Sequence, residues 1–231
     1  MISPELAGQV RALGRELPGA LAAFDADGTL WREDVGEAFL RHLVSLGWVK
    51  LADGSDPYQA YQRAVEHDRA RGYAYAAQLQ AGLALHHVSA EAQRFARQWV
   101  PPRLIADTQA LRKLCAEAGL LPFVISASAL PIVLEAAPLA GFARENCRGI
   151  AVQVREGTFT TELVQPVTYA AGKVASAAQA GRLALACGDS FTGDLALLEA
   201  ARIAVVLAPA QGSALSIEAG RRGWTVLAQG G

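Results

Sequence analysis

The chain has 231 residues and a formal net charge of −1, with 21 Lys and Arg against 22 Asp and Glu, so it carries no electrostatic footprint for nucleic acid or an anionic membrane surface. Apolar residues make up 52% and charged residues 19%, the balance of a globular chain that can bury a sizeable core. No apolar run is long enough to span a bilayer, the N-terminus lacks the pattern of a signal peptide, and Cys115, Cys147 and Cys187 fit neither a disulfide framework nor a zinc site, so a cytoplasmic protein with reduced thiols is expected.

Ser3-Pro4 reads as an N-cap followed by a first-turn proline, with a helix running to about Glu16 and "LPG" stopping it. The run Leu21–Phe24 then reads as a buried parallel strand that ends at two acids, Asp25 and Asp27, beside Gly28 and Thr29. From about Asp34 to Val100 the pattern is helical, rich in alanine and aromatics, without a convincing strand. "VGEAFLRHLVSLGW", "PYQAYQRAVEHDRARGYAYAAQLQAGLAL" and "SAEAQRFARQWV" read as amphipathic helices, and Pro101-Pro102 closes the region. Strand and helix then alternate. "DTQALRKLCAEAG" is a helix, "LPFVISAS" a buried strand and "LPIVLEAA" a helix. A hairpin is centred on Glu156-Gly157. "AAGKVASAAQAG", "LALACGD", "GDLALLEAAR", "IAVVLAP", "SALSIEAGRRG" and "WTVLA" complete the series. This pattern predicts an α/β fold, a Rossmann-like three-layer parallel sheet spanning 1–32 and 101–231, interrupted by an inserted all-helical cap at 33–100. The chain would hinge near 31–34 and 100–102.

Ligands of open α/β sheets bind beyond the carboxyl ends of the strands. There the sequence puts Asp25 and Asp27, Ser126 in "VISAS", and Asp189 in "CGDSFTGD", with Lys173 just inside the helix after "YAAG". Carboxyl oxygens with a backbone carbonyl make a hard oxygen site that suits Mg²⁺. A phosphoryl group needs cations and hydrogen-bond donors around its oxygens, which Lys173, Ser126 and the turn N–H groups after Asp25 supply. Gly28 lets the backbone approach closely. A carboxylate beside a metal and a lysine can itself attack phosphorus, giving a mixed anhydride that water cleaves easily. Asp27 is placed to protonate the leaving alkoxide and then activate water.

"DADGT" at Asp25–Thr29, the serine of "VISAS", the lysine of "AGK" and "GDSFTGD" resemble the four ordered motifs of the haloacid dehalogenase superfamily, in particular its phosphoserine-phosphatase-like branch. The resemblance covers nearly the whole α/β core, and the helical insert resembles that branch's small cap. It implies Asp25 as nucleophile and metal ligand, and Asp27 as general acid/base with its backbone carbonyl on Mg²⁺. It implies Lys173 as neutraliser of nucleophile and phosphate, Ser126 as a phosphate ligand, Asp189 as a metal ligand, and Asp194 and Thr29 as supports. Ala127, Gly28 and Asp34 join Ser126 on the substrate side; Asp34 falls where the serine-specific enzymes place the glutamate that grips the substrate amine. Two departures stand out. Asp194 lies one residue further from Asp189 than is usual in the phosphoserine branch, and Ala127-Ser128 replaces a glycine pair. The second acid of the first motif implies a phosphatase rather than a dehalogenase. The expected substrate is a small phosphorylated metabolite, with no nucleic-acid or membrane partner and the oligomeric state open.

Other readings belong beside these. The same residues would serve a phosphotransferase or mutase, or a non-catalytic phosphate-binding module. Asp and Gly are turn residues, Ser126 or Ser128 can cap the next helix, Lys173 can be a solvated helix lysine, and Asp189 can N-cap the helix it precedes. His86-His87 cannot face one another on a helix and reads as packing or surface. Trp31 reads either as lining the substrate mouth or as a wedge between cap and core. Tyr58, Tyr61, Tyr73 and Tyr75 read as cap core. Arg63, Arg69 and Arg71 read as a solvated face, with one available to a substrate carboxylate.

Overall fold

The computed structural model describes residues 2–207 and 211–227. The Ser3 hydroxyl accepts from the Leu6 N–H at 3.1 Å and starts α1 (Pro4–Glu16), whose Leu6, Val10 and Leu13 are buried along one stripe. The chain then enters β1 (Leu21–Phe24), buried at every residue. Leu21 and Ala23 pack into the apolar layer on one side of the sheet, Ala22 and Phe24 into that on the other. A strand covered on both faces has no polar alternation, and this is why "LAAF" is unbroken apolar sequence.

After the acids come α2 (Val35–Ser45), α3 (Pro57–His67), α4 (Arg69–Gln78) and α5 (Leu85–Trp99). The sequence reads 57–85 as one helix, and the structure breaks it at Asp68. That residue is extended (φ −154°, ψ 108°) and its carboxylate caps α4 by accepting from the Arg71 N–H. The break lets α4 fold against α3 so closely that a Cβ at Gly72 would stand 2.5 Å from the Val65 backbone. Returning from α5, the chain runs beside its own outward path. Trp31 and Leu104 form an antiparallel bridge, and the Arg32 N–H donates to the Arg103 carbonyl at 2.9 Å.

The core resumes with α6 (Ala106–Glu117), β2 (Leu121–Ala129), α7 (Leu130–Ala136) and β3 (Cys147–Ile150). A hairpin of β4 (Val152–Arg155) and β5 (Thr158–Leu163) follows, turning at Glu156-Gly157 as the period-two pattern predicts. The hairpin reaches the turn between α4 and α5: the Gly82 N–H donates to the Phe159 carbonyl, that of Leu85 to Gly157, and that of Phe159 back to Leu83, at 2.8–3.0 Å. The chain closes with α8 (Ala171–Ala180), β6 (Leu183–Gly188), α9 (Phe191–Ala200), β7 (Ile203–Leu207), α10 (Ala214–Arg222) and β8 (Thr225–Leu227). The ends of the strands expected at 203–209 and 224–228 lie outside the described residues.

Among the described residues the main sheet has six parallel strands in the order β3-β2-β1-β6-β7-β8, flanked by helices on both faces. The chain builds outward from β1 first to one side and then to the other, so β1 sits between β2 and β6. Phe24 is level with Val124 and with Cys187. The residues just past Phe24, Ile125 and Gly188 therefore share one rim of the sheet, at the switch in strand order where a crevice forms. No helix among the described residues is long and apolar enough to cross a membrane.

Candidate active site

Asp25 follows β1 directly, its N–H held by the Cys187 carbonyl at 2.9 Å. Its carboxylate is 6% exposed, and isolating it there would cost several kcal/mol. The compensation comes from α8. Lys173, 2% exposed, donates through Nζ to Asp25 Oδ1 and, at 2.6 Å, to Asp194 Oδ1. Lys173 reaches the site because α8 starts tightly: a Cβ at Gly172 would overlap the Val167 carbonyl at 1.8 Å. The Lys173 side chain is thus buried between two acids and is not a solvated helix lysine.

Asp189 follows β6 and Asp194 lies in the first turn of α9. Asp194 Oδ2 accepts from the N–H groups of Asp189 (3.2 Å) and Ser190 (2.9 Å), so both of its oxygens serve to hold Lys173 and the Asp189 turn. The cap of α9 is Ser190, whose hydroxyl accepts from the Gly193 N–H at 3.0 Å, which leaves the Asp189 carboxylate free of that task. Thr29 Oγ1 stands 3.4 Å from Asp25 Oδ2 and 3.2 Å from Asp189 Oδ1, between the two. Gly28 turns with φ +77°, and a Cβ there would meet Asp189 Oδ2 at 2.2 Å. That position therefore requires glycine for both its conformation and its close approach.

Asp25, Asp189 and Asp194 offer carboxylate oxygens that all lie within 4.8 Å of one another, and the Asp27 carboxylate stands outside that group. The acids outnumber their lysine, and their acidities reflect this. Burial first and the charge of Asp194 second push Asp25 well above the usual carboxylate range against the pull of Lys173. The same two causes raise Asp189 to about 6. Burial opposes the charge on Lys173, but Asp194 and Asp25 outweigh it and hold the ammonium above the usual lysine range. An oxygen-rich cluster short of positive charge is the donor set a hard divalent cation takes.

Asp27 has a separate environment. Its Oδ1 accepts from the Trp31 indole N–H at 2.8 Å and the Val35 N–H at 2.7 Å. Its Oδ2 accepts from the Ser128 hydroxyl at 2.7 Å, with Ser126 Oγ at 3.4 Å. Trp31 is fully buried, which settles its two readings in favour of the wedge. Ser126, at the end of the apolar part of β2, is buried below the surface of the site and accepts from the Ser128 N–H at 3.0 Å. Ala127 and Ser128 face the opening.

A cavity of about 370 Å³ joins these groups, lined by Asp25, Asp27, Gly28, Ala127, Ser128 and Asp189 from the strand ends and by Lys173 and Asp194 from α8 and α9. From the direction of the helical segment come Glu33, Asp34 and Tyr73. Asp34 also caps α2, accepting from the Glu37 N–H at 2.7 Å, and burial together with the charge of Asp27 raises its pKa to about 8. The sequence held the signal for this cap, an acid followed three residues later by Glu37. Tyr73 is a correction to the reading of the four tyrosines as cap core: it faces the cavity and packs on Tyr169, ring centroids 5.4 Å apart. Tyr169, four residues before Lys173, went unnoticed in the sequence. At the rim, Arg69 donates to Thr192 Oγ1 at 2.8 Å across the two sides of the opening. His86 and His87 are exposed and lie away from the site; contrary to the expectation that neighbours on a helix do not meet, their rings pack at 4.0 Å between centroids at the start of α5.

The family model for haloacid dehalogenase-like hydrolases matches residues 22–199, from β1 to the end of α9. The chain belongs to the haloacid dehalogenase-like hydrolase family. Among solved structures, this hydrolase is similar to a protein of unknown function from Bordetella pertussis Tohama I, at a TM-score of 0.78 and 20% identity over 91% of this chain and 98% of that one. It is also similar to a phosphoserine phosphohydrolase-like protein from Francisella tularensis (TM-score 0.55, 16% identity, 82% and 87% of the two chains). A phosphoserine phosphatase solved as a phospho-aspartyl intermediate analogue gives a TM-score of 0.54 and 13% identity, again over 82% and 87%. At these identities the structural likenesses speak for the fold of the hydrolase. A search of curated proteins gave no match.

Proposed function

We propose that this hydrolase is a Mg²⁺-dependent phosphatase that cleaves a small phosphomonoester through an aspartyl-phosphate on Asp25. One observation carries the reading: two carboxylates two residues apart share a cavity in opposite electrostatic settings. Asp25 lies against an ammonium, Asp27 against neutral N–H and O–H donors. A divalent cation beside Lys173 would offset the burial of Asp25 and keep the nucleophile ionised, while the rotatable Ser128 hydroxyl on Asp27 Oδ2 can accept as well as donate, so Asp27 can give and take a proton there. The neighbouring phospho-aspartyl structure supports the same chemistry.

In this reading Asp25 attacks phosphorus while Lys173 offsets the repulsion between carboxylate and phosphate. Asp27 protonates the departing alkoxide and then takes a proton from the water that cleaves the mixed anhydride. Ala127, Ser128 and Gly28 border the phosphate, Ser126 lies beneath them and holds the Ser128 N–H and Asp27 instead of reaching the cavity as expected, Asp34 is on the leaving-group side, and Asp194 and Thr29 keep Lys173 and Asp189 in place. The carboxylates of Asp25 and Asp189, with the Asp27 carbonyl, would hold Mg²⁺, which when bound supplies charge neutralisation to the phosphoryl oxygens. Asp194 has its oxygens committed to Lys173 and backbone N–H groups, which favours it as a support rather than a ligand. On this reading the substrate is a small phosphorylated metabolite, which the cavity of about 370 Å³ supports, and the protein works in the cytoplasm without a nucleic-acid or membrane partner.

The deciding experiment is release of inorganic phosphate from p-nitrophenyl phosphate with Mg²⁺ or with EDTA and no added acceptor. Metal-dependent release that Asp25→Asn abolishes, with an unchanged circular dichroism spectrum, is expected. Turnover retained by Asp25→Asn removes the nucleophile, and nitrophenol release that needs an added alcohol and yields no matching inorganic phosphate marks a phosphotransferase.

A further inference from the structure

We infer that Trp31 is a positioning residue for the proton transfer by Asp27, and that the transferred proton resides on Oδ2 alone. This rests on the phosphatase reading above.

The Trp31 indole and the Val35 backbone present N–H groups to the same oxygen, Oδ1, at 2.8 and 2.7 Å. An N–H of either kind can only donate. A proton on Oδ1 would have to displace both bonds, and the indole, fully buried, has no water to turn to. Oδ2 faces a different kind of partner. The hydroxyls of Ser128 (2.7 Å) and Ser126 (3.4 Å) rotate and can accept as readily as donate. A protonated Oδ2 therefore keeps a satisfied environment in both states, and Asp27 and Ser128 both line the cavity where a leaving oxygen would stand. Trp31 is itself immobilised. Its carbonyl accepts from the Gly28 N–H at 3.0 Å, and its backbone pairs with Leu104. The indole so fixes the plane of the Asp27 carboxylate and points one chosen oxygen at the substrate.

A general acid matters most when the leaving alkoxide is poor, and this separates positioning from packing. The test compares kcat/KM, which covers the steps up to departure of the leaving group, for an alkyl phosphate such as glycerol 2-phosphate and for p-nitrophenyl phosphate. Trp31→Phe is expected to lower the alkyl value by about 10–100-fold, part of the 10²–10⁴ typical of general acid catalysis. The nitrophenyl value should fall less than about threefold, because nitrophenolate departs without a proton. Asp27→Asn should show the same asymmetry, larger. Should Trp31→Phe fail to fold, benzothienylalanine introduced at position 31 keeps the bicyclic ring and removes only the N–H, and the same asymmetry is expected. Equal losses on both substrates, or no loss on either, in the variant that folds would reduce Trp31 to packing and overturn the inference. Failure of the unaltered protein to hydrolyse either ester would instead remove the phosphatase reading, and the inference with it.

Discussion

Replacing Lys173 by Met removes an ammonium and keeps most of the buried stem, so the cavity left is small and the electrostatic loss dominates. Asp25 and Asp194, 6% and 1% exposed, would then face each other without their shared cation. Losing one member of a buried ion pair costs about 3–5 kcal/mol. The alternative open to the variant is to bind one more proton in the folded state. An aspartate with an ordinary pKa of 3.8 releases that proton on unfolding. Holding it at pH 7 costs roughly 1.4 kcal/mol for each pH unit above that value, about 4 kcal/mol, so the two routes agree. The sign follows. The folded variant binds a proton that the unfolded chain lacks, so its stability relative to the parent falls as pH rises from about 4 to 7. Urea unfolding in EDTA at pH 5, 6 and 7 measures this, with the gap between the two proteins expected to shrink by about 1.4 kcal/mol per unit on acidification. A gap that stays constant across that range, or a loss at pH 7 below about 1 kcal/mol, would mean that Lys173 is not the charge on which the two acids depend.

Gly28→Ala should cost about 1–2 kcal/mol for the left-handed backbone and push the Asp189 carboxylate aside, so the Mg²⁺ concentration for half-maximal phosphatase activity should rise at least about tenfold in a metal titration. Asp34 keeps its proton to about pH 8 in the folded protein and to an ordinary 3.8 unfolded, so stability from this group is full below about pH 4 and is lost as pH climbs toward 8. Asp34→Asn retains the helix cap and removes the titration, so its urea midpoint should fall less over that interval; identical slopes would refute the assignment. Burial pushes the thiols of Cys115 and Cys147 up to about 12, and that of Cys187 also well above its usual value. All three should ignore a disulfide reagent in the native protein at pH 8 and react after denaturation, as absorbance of the released thiolate reports.

What the sequence made legible is what local chemistry enforces. A strand buried on both faces must be apolar throughout, so "LAAF" and "LPFVIS" announced themselves, and acids stationed where such strands end marked the rim. The predicted convergence of Asp25, Lys173 and Asp189 matches the geometry because alternating strands and helices admit few topologies. The features that escaped depend on contacts between distant segments. Nothing in the helical pattern across Asp68 shows a break, because the break is stabilised by Gly72 settling against Val65. Trp31 reads as one more aromatic until the chain folds back and aims its N–H at Asp27. Tyr73 has the spacing of a core residue, and only the approach of Tyr169 from beyond β5 gives it a face on the cavity.

The β4–β5 hairpin is tied through its main chain to the helical segment that runs from α2 to α5. Its backbone satisfies the amides of Gly82 and Leu85, and Leu83 in turn satisfies Phe159, although these partners lie far apart along the chain. A transplant of the helical segment alone would strand those amides, so the portable unit is bipartite and must carry the hairpin as a second graft.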